Sequence, residues 1–280
     1  MITPIILNGG TNSEKVKTLM NKLETGIVDI FNSENYADYL KAMSKFTNYS
    51  FNNTILIILQ GGTLVAGYNK WKKDFNRQVK KGAKGIKIFA PCFSKKKDED
   101  DDEEKEVHFY KVATVFDVSQ TEGDEIPHIQ ANELTDSVES YQLFMDAISK
   151  VSPVPIGFEE IGDSCHGYYH TDEKRIAIQS GMSEAQTLKT LVHEITHSIL
   201  HDTSKFEKYD VFPDSRTREV QAESVAYIVC NYFGIDTSDY SFGYIAAWSS
   251  GKEVKELTAS MKIIQDTSVD LIKKINSNLI

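Results

Sequence analysis

Residues 191–201 read Leu-Val-His-Glu-Ile-Thr-His-Ser-Ile-Leu-His, and this stretch decides the reading of the chain's second half. Apolar side chains at Leu188, Leu191, Val192, Ile195, Ile199 and Leu200 recur at helical spacing. The pattern predicts a helix that opens near Ser183, where Ser183 and Gln186 can form a capping box, and runs to about His201. His193 and His197, at i and i+4, then stand one above the other on one face, close enough to share a cation. Glu194 lies roughly 100° around the helix from His193. Its carboxylate therefore sits at the edge of the site, placed to take a proton from water rather than to bind the ion. Inside so apolar a helix, unpartnered imidazoles and a carboxylate would be costly.

A second helix, predicted from about Thr217 to Phe233 and ended by Gly234, carries Glu219-Val-Gln-Ala-Glu223. A glutamate on a following helix is the third ligand of a gluzincin-type site. We assign Glu219 as ligand and Glu223 as the group that orients a ligating histidine through its free ring nitrogen; the reverse assignment stays open. His201 is set aside as a ligand because positions i, i+4 and i+8 rotate too far around a helix to share one ion, which leaves it a packed or exposed histidine. A metzincin is excluded, since Leu200 and Thr203 stand where that class needs Gly and His. The expected ion is zinc, with another divalent metal such as manganese as the substitute. The expected chemistry is peptide-bond hydrolysis with Glu194 as general base. Residues 137–152 read as a helix, and 167–170 with 175–179 as a hairpin around Asp172-Glu173. Further helical periodicity covers 244–278. Strand 175–179 is expected to bind substrate backbone as an added strand. His170, Tyr240 and Tyr244 are the candidates for stabilising an oxyanion.

The front of the chain differs in charge. Residues 1–93 hold 13 Lys/Arg against 6 Asp/Glu, whereas 108–280 hold 14 against 27. A basic front on an acidic chain suggests one polyanion-facing domain joined to one that is not. Between them, residues 94–107 contain seven consecutive acids, Asp98 to Glu104, and read as an exposed insertion loop. The β-rich run 108–117 can pair with 85–90 across that loop. The polar stretch 120–133 is the better boundary, giving a first domain at 1–127 and a second at 134–280. Residues 35–47 predict a helix with Tyr36, Tyr39, Leu40 and Met43 on one face. Three widely spaced cysteines fit reduced thiols in a cytoplasm. The N-terminus shows no basic, apolar leader, and the longest apolar stretch, 55–67, is broken by Gln60-Gly61-Gly62, so no membrane association is expected.

Residues 70–87 carry eight basic side chains against one acid: Lys70, Lys72, Lys80, Lys81, Lys84 and Lys87 are among them. Trp71 and Phe75 are interleaved and Tyr68 flanks the run. Cations in register with aromatic rings suit single-stranded nucleic acid, since bases stack while Lys and Arg track phosphates. The alternative is a solvated basic face over a core containing Trp71 and Phe75.

Several blocks together resemble the ArdC family of antirestriction proteins from mobile elements. They are Phe-Asn-Asn-Thr-Ile-Leu-Ile at 51–57, Gly-Tyr-Asn-Lys-Trp-Lys at 67–72, the run 77–88, Ala90-Pro91, Val-Phe-Asp-Val-Ser-Gln-Thr at 115–121, 193–197, 218–223 and Tyr-Ile-Ala-Ala-Trp at 244–248. The resemblance implies an α+β fold: an N-terminal α+β domain binding single-stranded DNA, and a mainly helical, zincin-like metallopeptidase domain with a small antiparallel sheet. It implies protection of incoming DNA from restriction during conjugation. On matching positions it makes Asn53, Trp71, Arg77, Lys81 and Lys84 DNA-contact candidates. The peptidase half is also similar to the ImmA/IrrE metallopeptidases, which cleave regulators. Two competing functions stand beside this one: a non-catalytic DNA-masking protein with a structural metal, and an ImmA-like regulatory protease without DNA binding. The acidic insertion at 98–104 and the acidic second half depart from the family, so DNA is expected on the front domain alone. The protein or peptide substrate is open.

Overall fold

The computed structural model describes residues 2–7, 10–31, 33–93, 107–125, 138–162, 165–207 and 211–279. The acidic run at 98–104 and residues 126–133 of the expected boundary lie outside them. Contacts divide the chain into two units, Met1–Ile30 with Asn48–Pro127, and Phe31–Thr47 with His128–Ile280. A cut near residue 127 therefore misses two crossings, at 30–31 and 47–48: the helix over 33–45, placed by sequence in the front domain, belongs to the second unit.

In the first unit, helix α1 (Asn12–Ile30) buries Leu19, Leu23, Ile27 and Ile30, an apolar stripe with i, i+4 spacing. Gly26 lies against the Leu59 side chain, and an added Cβ would come within 2.2 Å of it. Leu59 ends α3 (Phe51–Leu59), which buries most of its residues. Strands β1 (Val65–Gly67), β3 (Ile86–Phe93) and β4 (Val107–Asp117) form an antiparallel sheet in the order β1-β4-β3. The expected hairpin across the acidic run is present, with Ile86 opposite Val115 and Ala90 opposite Lys111. The outer edge of β3 is closed by two amides of α3 and its C-terminal cap. Asn53 bonds both the N–H and the C=O of Phe89, at 2.8 and 2.9 Å, and Gln60 does the same for Lys87, at 2.9 and 2.9 Å. Side chains thus supply the ladder partners that an edge strand lacks. Between β1 and β3 come the short helix α4 (Tyr68–Asp74) and β2 (Arg77–Val79); β2 pairs antiparallel with β5 (Thr121–Gly123).

The second unit is mainly helical. Its helices are α2 (Ser33–Lys45), α5 (Val138–Ser149), α6 (Glu184–Leu200), α7 (Ser215–Tyr232), α8 (Ile245–Ser249) and α9 (Val254–Asn278). Every residue of α7 from Val220 to Cys230 except Glu223 is buried, the signature of a helix enclosed on nearly all sides. On α2, Tyr36, Tyr39, Leu40 and Met43 are all buried, and the Tyr36 hydroxyl meets Ser224 Oγ of α7 at 2.7 Å. Ser183 caps α6 by accepting from Gln186 N–H. Gln186 turns its amide to Thr190 and His166 instead of closing a capping box. The small sheet has the order β6-β8-β7, with β6 at Ile156–Glu159, β7 at Gly167–His170 and β8 at Arg175–Gln179. The expected hairpin β7–β8 is antiparallel, but β6 joins β8 in parallel, so the sheet is mixed rather than antiparallel. This also corrects the substrate-strand assignment: β8 is central, both of its edges are paired, and it has no free backbone groups to offer. No helix among the described residues is long and apolar enough to cross a membrane.

Candidate metal centre

Helix α6 and helix α7 bring three potential ligands to one point. His193 and His197 face each other with their Nε2 atoms 3.0 Å apart. Across the interface, Glu219 of α7 sets Oε2 3.4 Å from His193 Nε2 and Oε1 3.6 Å from His197 Nε2. Tetrahedral donors about 2.0–2.1 Å from a zinc ion are spaced about 3.3 Å from one another. The observed triangle therefore fits a small divalent cation, and its all-N/O composition suits zinc or manganese. Among the described residues these three form the group able to hold a metal.

The charge balance follows from burial and partners. Burial opposes charging of His193, but its bond to Glu219 and the fields of Glu194, Glu219 and Glu223 outweigh that and hold its pKa above the usual value. The two histidines hold the Glu219 carboxyl far below the usual range. Glu194 is buried, and burial raises its pKa against the pull of His193 and His197. The backbone N–H of Tyr169, on β7, also reaches its carboxylate. A buried carboxylate with a raised pKa beside a cation site is the condition for a general base near neutral pH.

A cavity of about 330 Å³ opens onto these groups, with walls that include Tyr168, Tyr169 and Thr171 from the β7 end and Arg218 from α7. β7 is seated close to α6: a Cβ on Gly167 would stand 2.7 Å from Thr190 Cγ2. The three oxyanion candidates are placed elsewhere. His170 accepts from Glu173 N–H in its own turn. Tyr240 packs under Lys189. Tyr244 donates to Glu223. The last bond also corrects the role assigned to Glu223: its carboxylate is held by Tyr244, and no bond from it to a site histidine occurs among the described residues. The partner of the His197 ring is His201, with Nδ1 to Nδ1 at 2.9 Å. His201 is buried, and burial pushes its pKa down to about 4. The signal for this role was the second i+4 step, from 197 to 201, which carries the series too far round for a common ion but is right for a ring-to-ring bond.

The basic segment of the first unit sorts into two classes. Lys70, Lys72, Lys80, Lys81 and Lys84 are solvent-facing to differing degrees, and Lys87 is half-buried with Nζ 2.9 Å from Thr114 Oγ1. Asn53 and Trp71 point inward. Asn53 clamps β3 as described, and Trp71, 0% exposed, donates to Phe116 O at 2.8 Å. Arg77 makes four bonds, to Thr121, Gly123 and Asp124, and pins β2 to β5. Asn53 and Trp71 are buried in the framework of the unit, which turns them away from DNA, and Arg77 is engaged with β5 at the wall of the cavity described next. Tyr68, by contrast, is 51% exposed. It lines, with Lys72, Asn76, Arg77 and Gln78, a second cavity of about 340 Å³.

Residues 12–116 match the family model for the N-terminal domain of anti-restriction factor ArdC, and residues 154–257 match that for the IrrE N-terminal-like domain. An uncharacterized protein of Bacillus anthracis, pXO2-81, is 28% identical over 311 residues, covering 95% of this chain and 52% of that protein. The chain thus spans about half the length of that curated relative. Among solved structures, the metal-free antirestriction ArdC protein from the R388 plasmid aligns with a TM-score of 0.53 and 22% identity, over 82% of this chain and 86% of that one. Its Mn(II)-bound form aligns at 0.51 and 19%, over 82% and 85%.

Proposed function

Because the chain belongs to an ArdC-like family, we propose that it is an antirestriction protein that binds single-stranded DNA through its first unit and carries a working metallopeptidase centre in its second. The carrying observation is the triangle of His193, His197 and Glu219 with Glu194 buried at its side and one cavity open to both. These three residues would hold the ion, zinc or manganese, which supplies Lewis acidity to a carbonyl. Glu194 takes the proton from the attacking water and returns it to the leaving amine. Tyr169 N–H holds the Glu194 carboxylate in place, and the outer edge of β7, beside the cavity, is where an extended peptide can add as a strand. Arg218 borders the cavity and takes the place of His170, Tyr240 and Tyr244 as the oxyanion candidate; the Tyr169 hydroxyl is turned to Asp202 and Lys174. On the first unit, Tyr68 offers a face for a base, and the solvent-facing lysines offer partners for phosphates. A cytoplasmic setting and a mobile-element role accompany this reading.

A Glu194→Gln chain, folded and metal-loaded, tests the catalytic part in a DNA-transfer assay against a restricting host. Loss of protection supports hydrolysis as the activity; full protection removes hydrolysis and leaves DNA masking. Binding of the whole chain to a labelled oligonucleotide tests the DNA part. Absence of binding at low salt would leave a regulatory protease.

A further inference from the structure

Behind His197 runs a line of hydrogen bonds that crosses three helices of the second unit. His197 Nδ1 meets His201 Nδ1 at 2.9 Å, His201 Nε2 meets Gln221 Oε1 at 2.9 Å, and Gln221 Nε2 donates to Ser260 Oγ of α9 at 3.1 Å. His201, Gln221 and Ser260 are all buried, so water does not substitute for any of these partners. With the Gln221 amide turned as it stands and His201 neutral, each contact has one consistent direction. A carbonyl oxygen only accepts, so Gln221 Oε1 requires hydrogen on His201 Nε2. A neutral imidazole carries one hydrogen, so His201 Nδ1 is then an acceptor. The hydrogen shared between the two Nδ1 atoms must belong to His197. His197 Nε2 is left with its lone pair, aimed at the point that His193 Nε2 and Glu219 also face.

The geometry points to Gln221 and His201 as positioning residues that set the tautomer and ring plane of His197 for a cation. The usual partner of a ligating histidine is a carboxylate or a backbone carbonyl; here the instruction originates at a neutral amide on α7 and passes through a second imidazole. Polarity is the essential element. Turning the Gln221 amide around would place N–H against His201 Nε2, move the hydrogen to His201 Nδ1, and leave His197 with N–H on the nitrogen that must bind the ion. The inference rests on the metal-site part of the proposed function and is independent of hydrolysis.

The tautomers can be read directly from two-bond nitrogen–proton correlations of the histidine rings in the full, uniformly 15N-labelled chain, with and without Zn(II). The expected pattern is hydrogen on Nε2 of His201 and on Nδ1 of His197. Hydrogen on Nδ1 of His201 would overturn the assignment. Zn(II) affinity, measured by competition with a chromophoric chelator, gives the second readout. His201→Phe keeps a ring and removes both nitrogens, and should lower affinity about 10–100-fold. His201→Gln can accept from His197 and donate to Gln221, and should restore most of that loss, a rescue that mere filling of space does not predict. Wild-type affinity in His201→Phe would overturn the relay; if that variant fails to fold, the tautomer pattern of the unmodified chain decides. A wild-type chain that binds no divalent ion would sink the metal reading, and the spectrum would still judge the relay.

Discussion

Glu223 accepts the hydroxyl hydrogen of Tyr244, while Glu219, one helical turn earlier, directs both carboxylate oxygens at the histidine pair. The two acids of one ExxxE motif therefore have separate employment. Glu219→Ala should weaken divalent-ion binding by more than the roughly 10–100-fold that losing an orienting partner costs, and Glu223→Ala by less. Chelator competition on both variants checks the order, and a reversed order would make Glu223 the ligand.

Tyr68 and Trp71 lie three residues apart and should respond oppositely to removal. Trp71→Ala empties a fully buried site and should cost about 3–5 kcal/mol of stability. Tyr68→Ala should leave the melting temperature in place and weaken oligonucleotide binding by about 1–3 kcal/mol, the worth of one stacked base. Equal DNA affinity in wild type and Tyr68→Ala would remove this ring from the interface.

Replacing the surface lysines gives a different signature. Removing a phosphate partner at Lys72, Lys81 or Lys84 should flatten the salt dependence of binding by about 0.7 per lysine in the log–log slope for single strands. Arg77→Lys, in contrast, should destabilise the β2–β5 pair, because one ammonium cannot replace a fork that bonds Thr121, Gly123 and Asp124. A slope unchanged in Lys72→Ala, Lys81→Ala and Lys84→Ala alike would place the DNA elsewhere.

Asp117 ties the end of β4 to the start of β1. It accepts from the backbone N–H of Thr63, Leu64 and Ser119 and from the hydroxyls of Thr63 and Ser119. Burial raises its pKa, but these donors outweigh burial and hold it below the ordinary value. Asp117→Ala should cost on the order of 3 kcal/mol, since charged acceptors are worth more than neutral ones and the donors are left unmet. Denaturant unfolding followed at Trp71 measures it.

His201 makes stability depend on pH in a definite direction. Its folded pKa, about 4, lies below the ordinary 6.5, so the folded chain keeps the ring neutral while the unfolded chain charges it. The contribution is complete above about 6.5 and is lost as pH falls toward 4, at up to about 1.4 kcal/mol per pH unit. Metal-free His201→Gln should show a flatter melting temperature across that window. An identical pH profile in wild type and variant would remove His201 as the cause.

The candidate metal site was legible because its spacing is local: His193, Glu194 and His197 are fixed by one helix, and Glu219 by the next. The β3–β4 pairing across the acidic run was legible too; what failed depended on partners that no local pattern announces. β6 is a four-residue strand whose partner lies beyond β7 in the chain, and until it is placed, β8 looks like the edge of a hairpin. Helix α4 has seven residues and, apart from Trp71, no buried side chain, too little for a period to show. Asn53, Trp71 and Arg77 belong to residue types that contact nucleic acid and also satisfy buried backbone, and composition does not say which way a side chain turns. Glu219 was assigned from the sequence; what the sequence did not reveal was the partner of Glu223, Tyr244, a residue far along the chain.

The chain passes between its two units at residues 30–31, 47–48 and 127–128, and this has a genetic consequence. Neither half is a cassette that one cut can lift out. A gene broken near codon 127 would carry off Tyr36, Tyr39, Leu40 and Met43 without the helix α7 that Tyr36 binds, and would leave the other fragment a bare groove. Recombination should therefore exchange this gene whole, or exchange loops within a unit, more readily than it swaps one half for another.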